Sequence, residues 1–237
     1  MEGEKFKFAS LQEHLKEDVK PIMVCIGTPK DFVEQDLESS VSFGVDWKNG
    51  TYQSGQEGEF FTAGPTTYVI SAIDAKDKFT EGLNRCTSLV VSGIDKETKK
   101  NISFLTHQPP GMISFMKEYI FTDEVKKEQT KKMYPFLDDL ETQLLKMKEK
   151  CETGTIDAVI LGGSDAKLTP VELTEQRKKM NDYFLSVEIL KEKVKHVLGF
   201  SPREVNGPKK DGGQDKIYFE NEHRRLYFIT SDINQNI

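Results

Sequence analysis

The sequence is short of what a metal centre, a disulfide framework or a membrane span requires. Only Cys25, Cys86 and Cys151 are cysteines in 237 residues; three cannot all pair, and none has the close Cys or His spacing of a zinc site. No metal and no cofactor is expected, and the compartment expected is a reduced, cytoplasmic one. The longest apolar runs are strand-sized, and MEGEKFKF lacks the basic segment and apolar stretch of a secretory signal, so no membrane insertion is expected. A basic field is missing too. Net charge is −6 with Lys and Arg scattered among Asp and Glu, which leaves nothing to hold a phosphate backbone and excludes nucleic acid as an expected partner. No repeat, low-complexity segment or linker divides the chain, and 36% hydrophobic with 30% charged residues suits a folded globular domain. One domain over residues 1–237 is the economical reading.

What is present alternates between strand and helix signals. Ser10 to Lys16 reads as a short helix and Ile22 to Ile26 as a strand; Asn49-Gly50 between short apolar or aromatic stretches is a two-residue hairpin signal. Thr67 to Asp74 is another strand. From about Asp123 the residues Met133, Phe136, Leu137, Leu140, Leu144 and Met147 recur at three- and four-residue steps, the pattern of an amphipathic helix. A strand, IDAVILGG, follows. A second helix opens on Thr169-Pro170-Val171-Glu172, an N-cap, a first-position proline and a capping-box glutamate, carries a stripe of Leu173, Met180, Phe184, Val187, Leu190, Val194 and Val197, and stops at Gly199. The tail contributes REV, then KIYFE and RRLYFI around ENEHR as a terminal hairpin. These signals predict an α+β fold, mostly antiparallel sheet layers with two long helices packed on them.

One segment carries candidate chemistry. Residues 79–107 read FTEGLNRCTSLVVSGIDKETKKNISFLTH, two apolar arms around a polar turn, with Cys86 opening the first and His107 closing the second. A turn centred on Lys96-Glu97 would place Leu89 opposite Phe104, Val91 opposite Ile102 and Cys86 opposite His107. Facing residues share a side of the sheet with Cβ atoms roughly 4.5–5.5 Å apart, which lets an imidazole take a thiol proton and stabilise a thiolate. Thiolate and imidazolium together supply a nucleophile and a general acid. The bland reading has Cys86 as core filler and His107 as a satisfied polar group. Cys25 and Cys151 read as core and incidental, and His14, His196 and His223 read as histidines without partners. Gly162-Gly163 before a helix suits close packing or substrate approach, lacking the Lys-Ser/Thr of a phosphate loop.

Thr80-Glu81-Gly82-Leu83-Asn84-Arg85-Cys86 resembles the T-x-G-L-G-S-C segment of the CheD family, the chemoreceptor glutamine deamidases, whose fold is similar to the catalytic domain of cytotoxic necrotizing factor; Thr80, Gly82, Leu83 and Cys86 coincide. The resemblance spans roughly residues 66 to 230, leaving residues 1–65 as a β-rich N-terminal extension. It implies that Cys86 is the nucleophile, His107 the base and Thr80 the group that orients the histidine. It also makes Gly82, Asn84, Gly162 and Gly163 candidate substrate contacts. The departures are that Asn84-Arg85 stand where the family has Gly-Ser, Gln108-Pro109-Pro110 follows the histidine at once, and the loop GPKKDGGQD lacks the form Gly-Gly-x-x-Gly-Arg. The expected activity is cysteine-dependent deamidation of a glutamine exposed on a partner protein. The alternatives are a CheD-like binding module without turnover and another Cys-His amide chemistry, such as transglutamination or proteolysis.

Overall fold

The computed structural model describes residues 5–6, 14–27, 45–46, 51–52, 60–62, 68–81, 83, 86–108, 136–162, 186–206 and 214–231. Along the chain these form β1 (Lys5–Phe6), β2 (Met23–Ile26), β3 (Val45–Asp46), β4 (Thr51–Tyr52), β5 (Phe60–Thr62), β6 (Tyr68–Ile70), β7 (Lys78–Glu81), β8 (Thr87–Ile94) and β9 (Asn101–His107). Then come helix α1 (Phe136–Lys150), β10 (Asp157–Gly162), helix α2 described over 186–198, β11 (Arg203–Asn206), β12 (Gln214–Glu220) and β13 (Arg225–Ser231). The fold is α+β.

Among the described residues the strands make a six-stranded sheet, β11-β10-β8-β9-β6-β5, a five-stranded sheet, β1-β2-β13-β12-β7, and the separate pair β3-β4. Most pairings are antiparallel, but β10 with β11 and β2 with β13 are parallel. Parallel neighbours need a long crossover, which the segment carrying α2 supplies between β10 and β11. Strands β8 and β10 are buried along nearly their whole length. Their continuous apolar runs fit strands covered on both faces.

One face of the six-stranded sheet takes the helices. Leu89, Val91, Phe104 and Ile160 pack there against Phe136, Leu140, Leu144 and Met147 of α1 and Val187, Leu190 and Val194 of α2. Asp138 and Asp139 in the first turn of α1 and Lys148 and Lys150 in its last complement the helix dipole. Gly199, at φ 88°, ends α2 in the left-handed conformation that a helix terminus favours. The opposite face meets the five-stranded sheet: Val90, Leu105, Val159 and Leu161 pack against Ile217, Phe219, Leu226 and Phe228. The layers therefore run helices, six-stranded sheet, five-stranded sheet.

Several local expectations change. The β8–β9 hairpin is displaced by two residues from the expected register: Val91 pairs with Phe104 and Gly93 with Ile102. The cause lies in the turn. Asp95 accepts from the Glu97 and Thr98 backbone N–H groups at 3.1 and 2.7 Å and from the Thr98 hydroxyl at 2.9 Å, while Lys99 takes φ 61°. That carboxylate builds a four-residue loop between Asp95 and Lys100 instead of a turn centred on Lys96-Glu97. At Asn49-Gly50 the pairs Val45–Tyr52 and Asp46–Thr51 leave four residues between the strands, not two. His14 to Lys16 form a turn, not the end of a helix, because the Lys16 N–H bonds the Gly154 carbonyl at 2.9 Å and His14 stacks on Phe200. The strand expected to reach Asp74 stops at Ile70. The expected helix starts at Asp123 and Thr169 lie outside the described residues.

Candidate active site

The site sits where the two sheets meet. Thr80 lies on β7 opposite Ile217, so alternation turns it toward the inter-sheet core with Ile217. His107, the last residue of β9, lies opposite Val69 of that same core and turns the same way. A hydrogen bond of 2.7 Å joins Thr80 Oγ1 to His107 Nδ1 across the sandwich, and both side chains are fully buried. Cys86 immediately precedes β8, is half-buried, and packs against the same core.

The observed register corrects the expectation that Cys86 faces His107. Thr87 and Gln108 exchange backbone hydrogen bonds of 2.9 and 3.1 Å, which puts Ser88 directly opposite His107 and Cys86 on the diagonal. Cysteine and histidine share a face, at a diagonal spacing of about 7–8 Å between strand positions. The Thr87 N–H is committed to Gln108, so an oxyanion donor would have to come from the Cys86 N–H or the chain before it. Gly82, Asn84, Arg85 and Gly163 lie outside the described residues.

Gly162 meets this corner from β10. It pairs with Thr87, has φ 115°, and a Cβ there would stand 2.4 Å from the Cys86 carbonyl oxygen. Its role is close packing that sets the backbone of the cysteine. Gly162→Ala is expected to destabilise the fold by about 1–3 kcal/mol through backbone strain alone. It should also move Cys86, read by urea unfolding together with a change in the alkylation rate of that thiol.

Burial decides the charge state. It pushes the Cys86 thiol up to about 12 and the His107 imidazole down to about 3. At neutral pH the site rests as a thiol and, across the diagonal, a neutral imidazole, not the expected thiolate and imidazolium, because burial penalises both ions. The histidine has a consequence for stability. Its folded value lies below the ordinary 6.5, so between those values the unfolded chain binds a proton that the folded one refuses, and stability falls as pH falls. From pH 6.5 to pH 5 the wild type is expected to lose about 2 kcal/mol more than His107→Gln. Urea titrations at both pH values check this, and parallel losses would contradict a buried neutral imidazole.

The remaining candidates are structural. Cys25 and Cys151 are both buried thiols. Cys151 belongs to the helix-side core, where a Cβ on Gly93 would lie 2.6 Å from its sulfur; it is not incidental. Two histidines read as solitary have partners: His14 stacks on Phe200 at 3.7 Å and lies 4.0 Å from Asp157, and His223 Nδ1 lies 2.9 Å from Glu220. Among the described residues no group of His, Cys, Asp or Glu could hold a metal ion, and no helix is long and apolar enough to cross a membrane. Ser88 and Asp157 escaped the sequence reading because a strand serine and an aspartate before an apolar run carry no local signal. No protein-family model matches the chain, and no curated protein matches it significantly.

Proposed function

We propose that the chain is a CheD-like cysteine amidohydrolase that deamidates a glutamine exposed on a partner protein. The observation that carries the reading is the Thr80–His107 hydrogen bond of 2.7 Å, made between different sheets, with Cys86 on the same face as the histidine. A threonine fixing one ring nitrogen leaves the other as the base. In the tautomer that does so, Nδ1–H donates to Thr80 Oγ1 and Nε2 is basic.

The neutral resting pair sets the order of events. Attack of the Cys86 sulfur on the carboxamide carbon forms the S–C bond as the thiol proton passes to His107, so the ions arise only in the reacting complex. The imidazolium returns that proton to the departing nitrogen, the C–N bond breaks, and ammonia leaves. Water, deprotonated by the same imidazole, then hydrolyses the thioester to glutamate and restores the thiol. No cofactor enters this sequence.

A second reading, a binding module of the same fold without turnover, draws on the thiol held near 12 and on the diagonal placement of the pair. Fold alone does not choose between them. The deciding experiment captures the partner with Cys86→Ser, incubates it with wild-type protein, and reads its glutamines by mass spectrometry. Conversion of one glutamine to glutamate with release of ammonia supports the enzyme. A partner bound but chemically unchanged over long incubation supports the binder.

A further inference from the structure

The hairpin register sets Cys86 diagonal to His107 and puts a serine, Ser88, at the facing position on the same side of the sheet. Ser88 follows Cys86 by two residues, so both project from the inter-sheet face of the same chain segment. Between the bonded pairs Thr87–Gln108 and Val91–Phe104, Ser88 is the residue directly opposite His107. The regular ladder stops at Val90–Leu105 and resumes as a single bridge at Thr87–Gln108, and between them the Leu89 N–H bonds the Thr106 hydroxyl at 2.9 Å in place of a ladder carbonyl, so Ser88 and His107 face one another where the two strands are not joined by backbone bonds of their own. Its side chain is fully buried, and its Oγ has no hydrogen-bond partner among the described residues. A buried hydroxyl in that state costs more than an alanine would, so it calls for a reason. Ser92 and Ser103 are buried in the same way, but they face one another along the hairpin, not the histidine.

We propose that Ser88 is a proton relay between Cys86 and His107, an inference that rests on the amidohydrolase reading above. A hydroxyl both donates and accepts, so it can take one proton as it gives up another. As the sulfur attacks, the S–H bond breaks and its proton joins Ser88 Oγ. The original Ser88 O–H bond breaks, and that proton forms the N–H bond at His107 Nε2, the ring nitrogen that Thr80 does not hold. The serine is unchanged, the sulfur's electron pair has formed the S–C bond, the C=O π pair has moved to the carboxamide oxygen as the negative charge, and the imidazole carries the positive one. The return step runs the same chain backwards.

The test uses iodoacetamide as probe on the full chain at pH 7, with labelling of Cys86 read by peptide mass spectrometry and folding checked by near-UV circular dichroism. Ser88→Ala is expected to slow labelling about tenfold or more, toward the loss given by His107→Gln. Ser88→Thr, which keeps the hydroxyl, should restore most of the rate. In mixtures of light and heavy water the wild-type rate should curve with deuterium fraction, the mark of two protons in motion, and Ser88→Ala should be linear. If Ser88→Ala labels like wild type while His107→Gln is slow, the relay is wrong and the base stands. If His107→Gln also labels like wild type, the base assignment fails with it. A slow Ser88→Thr overturns the relay as well. Should Ser88→Ala not fold, a linear wild-type isotope plot overturns the relay and a curved one supports it.

Discussion

Ammonia release from the glutamine-bearing partner is expected to fall to background in Cys86→Ala and by about 10²–10⁴-fold in His107→Ala, the usual worth of a positioned general base. The two losses should not add, because without the nucleophile there is no proton for the base to take. Thr80→Ala should cost less, up to about 10²-fold, since it removes the 2.7 Å bond that aims the ring but leaves thiol and imidazole in place. Thr80 and His107 are both fully buried, so neither offers a surface to the partner, and the loss should appear in kcat with KM unchanged. The pH profile separates this site from a pre-formed ion pair. With the imidazole near 3 and the thiol near 12 in the free protein, kcat/KM should show no inflection between about pH 5 and 7. An ordinary histidine would place an acid limb near its usual 6.5. Equal ammonia release from Cys86→Ala and wild type would sink the enzyme reading.

How much of this was readable in the chain depends on whether the signal was local. The stripe Phe136, Leu137, Leu140, Leu144 and Met147 predicted α1, and all five residues are buried against the sheet. The apolar run of β10 and the terminal hairpin were legible for the same reason, since each element states its own periodicity. The hairpin register was not legible, because it depends on a carboxylate. Asp95 gathers three hydrogen bonds and pulls the turn along the chain, and a hydrophobic pattern of period two fits a shift of two residues equally well. Parity survived, so Cys86 and His107 stayed on one face while Ser88 took the facing position. Thr80 is a different case. Its bond to His107 spans two sheets, and no spacing rule connects residues on strands that never pair; only the resemblance to a known motif pointed to it. The charge states were missed because burial between two sheets is a tertiary fact, and it reversed the direction that a neighbouring histidine alone would give a thiol.

The largest stability effect is expected at the far end of the same inter-sheet core, where Asp157 opens β10 opposite Ser92. The carboxylate is fully buried, and each oxygen is used. Oδ2 accepts from the Ile22 N–H at 2.7 Å and from Arg203 Nη2 at 2.9 Å, and Oδ1 accepts from the Ala158 N–H at 2.8 Å. Ile22 leads into β2 of the five-stranded sheet and Arg203 opens β11 of the six-stranded one, so one side chain ties the two sheets together. The buried guanidinium of Arg224 lies close by, donating to the Thr155 and Ser92 carbonyls at 3.0 and 3.1 Å. Burial lowers its proton affinity and Asp157 opposes that effect. Asp157→Ala would leave two arginines without this counter-charge and the Ile22 N–H without an acceptor. Breaking a buried pair by deleting one partner costs about 3–5 kcal/mol when the surviving charge is poorly solvated; Arg224 is buried and Arg203 is 18% exposed, so the lower end of that range is expected. In a chain of this size that is a fall in Tm of about 10 °C. Asp157→Asn should fall between wild type and alanine, since an amide oxygen can still accept from Ile22 while the charge is gone. Thermal and urea unfolding of the three proteins measure it. A loss below about 1 kcal/mol for Asp157→Ala, the value of an exposed pair, would show that the carboxylate is solvated and that the sheets are held by their apolar contacts alone.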